Sequence, residues 1–200
     1  NNGMENQLEN WLTEYLEKYN QALKVVTGEI ILPIISKFVQ SCKEEKQIFV
    51  FGNGGSASNA SHFVTDFTKG AADAVGKKIR AISLNENVSL MTAISNDYAF
   101  EDVYSRQLAN LAKPGDTVFT LSVSGNSPNL VKAVEWANEN DLHSIALVGG
   151  KKGKLYDIAK QSVVVDSLHY GHVEDIHMLI CHIITYAFME NPDIVDVSNN

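Results

Sequence analysis

Two hundred residues with 44% hydrophobic and 20% charged side chains are enough for one globular unit with a substantial core. A formal net charge of −8 argues against nucleic acid as a partner, because gripping a phosphate backbone needs a dense basic surface. It leaves room for one small phosphate, which a few N–H groups and hydroxyls can hold. The longest apolar runs, such as Ile30-Ile31-Leu32-Pro33-Ile34-Ile35, are too short to cross a membrane, and the polar first residues lack a basic-then-apolar leader, so a cytoplasmic protein is expected.

From Glu5 to Gln40 apolar residues recur at helical spacing: Leu8, Trp11, Leu12, Tyr15, Leu16, Tyr19 and Leu23, then Ile30, Ile34, Phe38 and Val39. The pattern predicts two helices with a break near Thr27-Gly28. Gln47 to Phe51 reads as a short buried strand, followed by a helix from Ser56 to about Thr68. A second strand is expected over Ile79 to Leu84, a short helix over Asn87 to Ile94, and another helix over Phe100 to Leu111, closed by the turn Lys113-Pro114-Gly115-Asp116. Thr117 to Ser122 is the third strand. Pro128 then sits in the first turn of a helix that runs to about Asn140, where proline is tolerated. Ser144 to Val148 and Ser162 to Val165 complete the strands, and a long helix runs from about Val173 to Met189. Cys42 and Cys181 lie far apart in helical contexts without CxxC spacing, which predicts buried free thiols.

Short apolar strands alternating with helices indicate an α/β fold: a doubly wound, five-stranded parallel sheet flanked by helices, with an N-terminal helical pair. Ligands of such sheets bind beyond the carboxyl ends of the strands, where the strand order reverses. Two loops belong on that edge. Phe51-Gly52-Asn53-Gly54-Gly55-Ser56 follows the first strand, and Leu121-Ser122-Val123-Ser124-Gly125-Asn126-Ser127 follows the third. Each opens a helix and offers hydroxyls, free backbone N–H groups and a positive helix end to one point, which suits a phosphate. Taken singly, each could be no more than a tight turn or a helix cap; two on one edge favour an anion site. Gly52-Asn53-Gly54-Gly55-Ser56-Ala57 is not the GxGxxG dinucleotide fingerprint, and no lysine follows its glycines as a Walker loop requires.

His62 and Asp66 are four apart on the helix opened by the first loop and share a face. Glu174 and His182, eight apart on the last helix, differ by only about 80°. Two imidazoles and two carboxylates could hold a divalent metal such as zinc, or divide proton transfers between them; polar pairs on exposed helix faces are also common without function. His177 lies about 140° around from His182. His143, His169 and His172 read as surface or supporting residues, and Trp11 and Trp136 as core or interface rather than a stacking platform.

Several motifs together carry a family resemblance. They are Gly52-Asn53-Gly54-Gly55-Ser56-Ala57 with His62, Asn96-Asp97-Tyr98, Ser122-Val123-Ser124-Gly125-Asn126-Ser127, and Val173-Glu174-Asp175-Ile176-His177 with His182. In this order and spacing they resemble the sugar isomerase (SIS) domain, a flavodoxin-like α/β fold, and within it most closely the sedoheptulose 7-phosphate isomerases, or phosphoheptose isomerases. The resemblance covers nearly the whole chain. It implies one SIS domain over residues 1–200, with helices in 1–45 used for packing and oligomerisation and an α/β core over 46–200. By resemblance the substrate is a sugar phosphate, sedoheptulose 7-phosphate, converted to a glycero-manno-heptose 7-phosphate for surface-polysaccharide synthesis, and the enzyme is a homotetramer with active sites at its interfaces.

Residue by residue, the resemblance implies that Ser122, Ser124 and Ser127 hold the phosphate. Asn53, Gly54 and Ser56 match substrate-contacting positions, and Asp97 would orient sugar hydroxyls. The metal and proton-transfer positions fall on His62, Asp66, Glu174 and His182, with Asp66 and His182 as the catalytic pair and zinc as the implied ion. Two of these depart from the family pattern: Asp66 replaces the usual glutamate, and Glu174, expected to touch substrate as well as metal, replaces the usual glutamine and adds negative charge that should strengthen a divalent site. The implied reaction is an aldose–ketose isomerisation through a cis-enediol. Two other readings stay open. One is a non-catalytic SIS adaptor that binds a replication initiator; the other is an isomerase of a different ketose phosphate.

Overall fold

In the computed structural model, which describes residues 2–196, helix α1 (Asn2–Leu23) and helix α2 (Gly28–Lys43) precede the sheet. The ends of the expected 1–200 span, residue 1 and residues 197–200, lie outside the described residues. The break expected near Thr27-Gly28 is there: Thr27 is extended at φ −130° and starts α2 as its N-cap. The strands are β1 (Ile48–Gly52), β2 (Ala81–Ser83), β3 (Thr117–Leu121), β4 (His143–Val148) and β5 (Gln161–Val164). They form one five-stranded sheet in the order β2-β1-β3-β4-β5, every pair parallel. Chain order therefore reverses between β1 and β3, and the two glycine- and serine-rich loops leave the carboxyl ends of those two strands.

Strand alternation divides the core into two layers. Val50, Phe119, Leu121, Ile145 and Leu147 face α2, α3 (Gly55–Asp66) and α9 (Tyr170–Glu190), while Phe49, Phe51, Val118, Ala146 and Val148 face α6 (Ser105–Leu111), α7 (Pro128–Glu139) and α8 (Gly153–Ile158). Phe38 of α2 anchors the first layer, meeting Phe63, Phe67 and Phe119 edge-on at ring-centroid distances of 5.2 to 5.7 Å. Cys42 and Cys181 are buried free thiols.

Four details depart from the sequence expectation. The helix expected to end near Thr68 passes Asp66 into a π-helical turn, Phe67–Ala71, and a last α-turn, α4 (Ala72–Val75). The helix expected over 100–111 is a 3-10 turn, Phe100–Asp102, followed by α6; the Ser105 hydroxyl donates to the Asp102 carbonyl at the step between them. Helix α8 was not expected at all, because its six residues bury only Leu155 and show no apolar period. Helix α5 (Val88–Asp97) ends three residues later than expected and is capped by the Asn87 side chain, which accepts from Leu90 N at 3.0 Å.

Candidate active site

Three helix amino ends converge beyond β1 and β3. Ser127 is the N-cap of α7 with Pro128 behind it, Ser56 stands in the first turn of α3, and Tyr170 and Glu174 belong to the first turns of α9. Together with Asn53, Ser122 and Ser124 they line a cavity of about 110 Å³. That is the space of a few water molecules, enough for a phosphoryl group and too small for a whole sugar. Helix amino ends bring unpaired N–H groups and partial positive charge to such a point. The hydroxyls are pre-aimed by the loop itself. Ser122 Oγ accepts from Gly125 N at 2.9 Å, which leaves its O–H proton for a second partner, and Ser127 makes no side-chain cap bond. Gly125 sits at φ +68°, and a Cβ there would stand 2.0 Å from the Lys152 carbonyl oxygen, so this turn requires glycine.

A buried polar network fixes the first loop. Asn53 Oδ1 accepts from the Tyr104 hydroxyl at 2.7 Å and from Asn129 Nδ2 at 3.0 Å, and Asn53 Nδ2 donates to Asn129 Oδ1 at 2.8 Å. Asn85 joins through Tyr104, donating to its hydroxyl at 2.8 Å, and holds Gly52 from both sides of the peptide. Asn85, Tyr104 and Asn129 were not singled out from sequence. The position of Asn129, one residue past the proline that follows the serine loop, was the available signal. On its far side Asn53 also borders a basin of about 760 Å³ shared with Gly54 and Asn96.

The second constellation lies further along α3 and α9. The two helices run side by side in the same direction, with Glu174 against Gly55 at one end and Met189 against Gly70 near the other. Between these contacts His62 Nε2 lies 3.1 Å and His182 Nε2 3.5 Å from the same oxygen, Asp66 Oδ2. The imidazole rings are 5.1 Å apart and nearly perpendicular. One ligand atom from each of the three falls within 4.8 Å of the others, which makes this a possible metal-binding group. Tetrahedral zinc with bonds near 2.1 Å spaces its ligands by about 3.4 Å, so the donor set fits such an ion without large movement. Side-chain exposures of 52%, 33% and 40% for His62, Asp66 and His182 leave the group open on one side.

The structure thus brings Asn53, Ser56, Ser122, Ser124, Ser127 and Glu174 to one cavity, and His62, Asp66 and His182 to one cluster. Glu174 goes with the serines and is not among the three clustered donors: its carboxylate lies where a Cβ on Gly55 would meet it at 2.7 Å. Asp97 ends α5 on the exposed surface, accepting from Asn96 Nδ2 at 3.0 Å, and does not line the cavity. The histidines read as surface or supporting residues divide three ways. His169 is exposed and caps α9 through Nδ1, His143 pairs with Gln161 at 2.6 Å, and His172 is fully buried against Tyr15 and Tyr19. The apolar stripe Val173, Ile176, Ile180, Cys181, Ile184 was the signal for His172, since it places residue 172 and His177 on the buried face of α9.

The chain matches the SIS domain family over residues 14–149, more than half of its length. A curated relative from Thermoplasma acidophilum, "Probable phosphoheptose isomerase", is 38% identical over 171 residues, covering 86% of this chain and 93% of the relative. Among solved structures, a phosphoheptose isomerase from Neisseria gonorrhoeae superimposes with a TM-score of 0.83 at 29% identity, covering 92% of this chain and 99% of that one. One from Francisella tularensis gives 0.81 at 26% identity, over 94% and 97%. A conserved architecture of this extent, with its loops on the same sheet edge, leaves one conclusion: the chain belongs to the SIS domain family, among the phosphoheptose isomerases.

Proposed function

We propose that this protein is an aldose–ketose isomerase that converts sedoheptulose 7-phosphate to D-glycero-D-manno-heptose 7-phosphate through a cis-enediol. The observation that carries the reading is the pairing of a hydroxyl-lined anion cavity with a histidine–carboxylate–histidine cluster on the same two helices. Six residues of α3 separate Ser56 from His62, about 9 Å of rise. An extended seven-carbon sugar phosphate spans on the order of 10 Å at about 1.2 Å per bond, so one substrate reaches both stations.

In the reaction, the cavity of Ser122, Ser124, Ser127 and Ser56 anchors the phosphate, and Asn53 contacts the adjoining part of the sugar. One member of the Asp66/His182 pair takes a proton from C1 of the ketose while the C2 carbonyl oxygen gains one, which yields the enediol. Return of a proton to C2 and loss of the O1 proton give the aldose. The approach of both imidazole Nε2 atoms to one Asp66 oxygen, at 3.1 and 3.5 Å, supports this division, because a shared carboxylate can orient either ring for the step. His62, Asp66 and His182 would hold a zinc ion, which supplies Lewis-acid polarisation of the sugar oxygens when bound. Glu174 is the fourth expected ligand; its place in the anion cavity supports a substrate contact instead.

The open face of the cluster supports active sites completed at an interface of a homotetramer assembled by the N-terminal helices; one SIS domain working in the cytoplasm for surface-polysaccharide synthesis is the reading that the family membership supports. Leu8, Trp11, Leu12 and Leu16 form an exposed apolar stripe on α1, each 49 to 55% exposed, of the kind a second copy covers. Incubation with sedoheptulose 7-phosphate, with and without chelator, followed by NMR, should show aldose formation. Asp66→Asn and His182→Gln should each lower kcat by about a hundredfold or more; full activity in both variants would overturn the assignment. In sedimentation, Leu8→Glu/Leu12→Glu should shift the protein to smaller species.

A further inference from the structure

The loop between β4 and α8 carries Lys151 and Lys152, and Lys154 follows in the first turn of α8, in a chain of net charge −8. It is latched to the serine loop at three points. Lys154 N donates to Asn126 Oδ1 at 2.8 Å, Leu155 N donates to the Gly125 carbonyl at 3.0 Å, and the Lys152 carbonyl presses on the space a Cβ of Gly125 would need. Lys152 is held at φ +61°, a conformation that a lysine keeps only where its surroundings impose it. Lys154 pairs with Glu135 at 3.2 Å, and Lys152 lies 4.9 Å over the Tyr156 ring. Neither Lys151 nor Lys152 forms an ion pair among the described residues.

The anion cavity has a charge deficit of its own. Its wall carries hydroxyls and amides and one carboxylate, Glu174, but no lysine or arginine. Asn126 links the two regions: it lines the lysine basin, while Ser124 and Ser127 on either side of it line the cavity. Asp157 is the one carboxylate on the basin wall, against three lysines. The backbone that carries these lysines abuts the Gly125 turn of the serine loop, and an exposed charge acts over a Debye length of about 10 Å at 0.1 M salt.

We propose that Lys151 and Lys152 are specificity residues that gather the phosphate of the substrate at the cavity mouth and offset the charge of Glu174. They touch no reacting atom, so they should act on binding and not on the chemical step. The proposal rests on the reading of the cavity as the phosphate site.

The test compares Lys151→Gln/Lys152→Gln with a charge-matched control, Lys46→Gln/Lys113→Gln, at the amino edge of the sheet. Inorganic phosphate affinity is measured by calorimetry, and kcat and KM for sedoheptulose 7-phosphate by turnover, from low to high salt (about 0.02 to 0.5 M). The loop variant should bind phosphate roughly fivefold or more weakly at low salt, with KM raised by a similar factor and kcat unchanged, and the difference should vanish at high salt. The control should match the unaltered protein. Equal phosphate affinity and salt slope in loop variant and control, or a fall in kcat at unchanged KM, would overturn the proposal. Absence of turnover with the phosphate effect intact would sink the isomerase reading and leave this one standing; absence of phosphate binding by the unaltered protein would sink this one. Lys151→Gln alone, at an exposed position, gives the same comparison if the double variant does not fold.

Discussion

At residue 125 two constraints coincide: a positive φ and a carbonyl oxygen at 2.0 Å from any Cβ. Gly125→Ala should therefore cost about 2 kcal/mol or more, read as a lower urea midpoint, and should also weaken phosphate binding because the turn aims Ser122. Gly55 presents a milder case. The atoms a Cβ would meet there are the far end of the flexible Glu174 side chain, so the fold should tolerate the change while Glu174 is displaced. The sequence alone put the loops of Asn53 and Ser56 and of Ser122, Ser124 and Ser127 on one sheet edge, and the structure made them neighbours by setting β1 beside β3. The sequence paired Glu174 with His182, because helical spacing describes faces and not the reach of a side chain over two turns. What stands opposite decides the reach, and for Glu174 that is the amino end of α3.

Between elements, the pairing of α3 with α9 is the feature that organises the site. Both helices bury one apolar stripe on the sheet, and their common direction sets the serine-lined cavity at their amino ends and the cluster about two to three turns beyond. The π turn after Asp66 widens the helix where Gly70 lets Met189 approach, and no local signal in the sequence marks it. Helix α2 is held against this pair through Phe38, which is 1% exposed and wedged among three aromatic rings. Phe38→Ala should destabilise the protein by about 4 kcal/mol, seen as a shifted denaturation midpoint with an unchanged slope. Helix α8 escaped notice for the opposite reason: with Leu155 as its one buried residue it has no period to read.

The whole molecule responds to acid through its buried imidazoles. His177 is fully enclosed, and burial lowers its pKa to about 4, opposed in part by its hydrogen bond to the Val148 carbonyl at 3.0 Å. Its other ring nitrogen has no hydrogen-bond partner among the described residues. Burial pushes His143 and His172 the same way. As pH falls through about 6.5 the unfolded chain takes up protons that the folded chain refuses until near pH 4, so stability drops across that window and is level above it. For His177 alone the loss by pH 4 is on the order of 3 kcal/mol. Urea midpoints at pH 7.5 and 4.5 should differ accordingly, and His177→Gln should flatten the slope between them; an unchanged slope would refute the assignment.

Periodicity and loop chemistry by themselves determined the α/β class, the five strands, the helical pair ahead of them, and the sheet edge that carries the site. Those properties follow from local patterns, because burial of one face repeats every two or every 3.6 residues and small hydroxylated residues have few uses at a strand-to-helix turn. Only the tertiary structure decided which donors meet. It placed Glu174 with the serines, left His62, Asp66 and His182 as a group of three, enclosed His172 and His177, and latched a lysine-bearing loop to the serine turn. The meeting of His62, Asp66 and His182, and the place of Glu174, depend on the parallel run of two helices more than a hundred residues apart in sequence, and no local pattern encodes that contact.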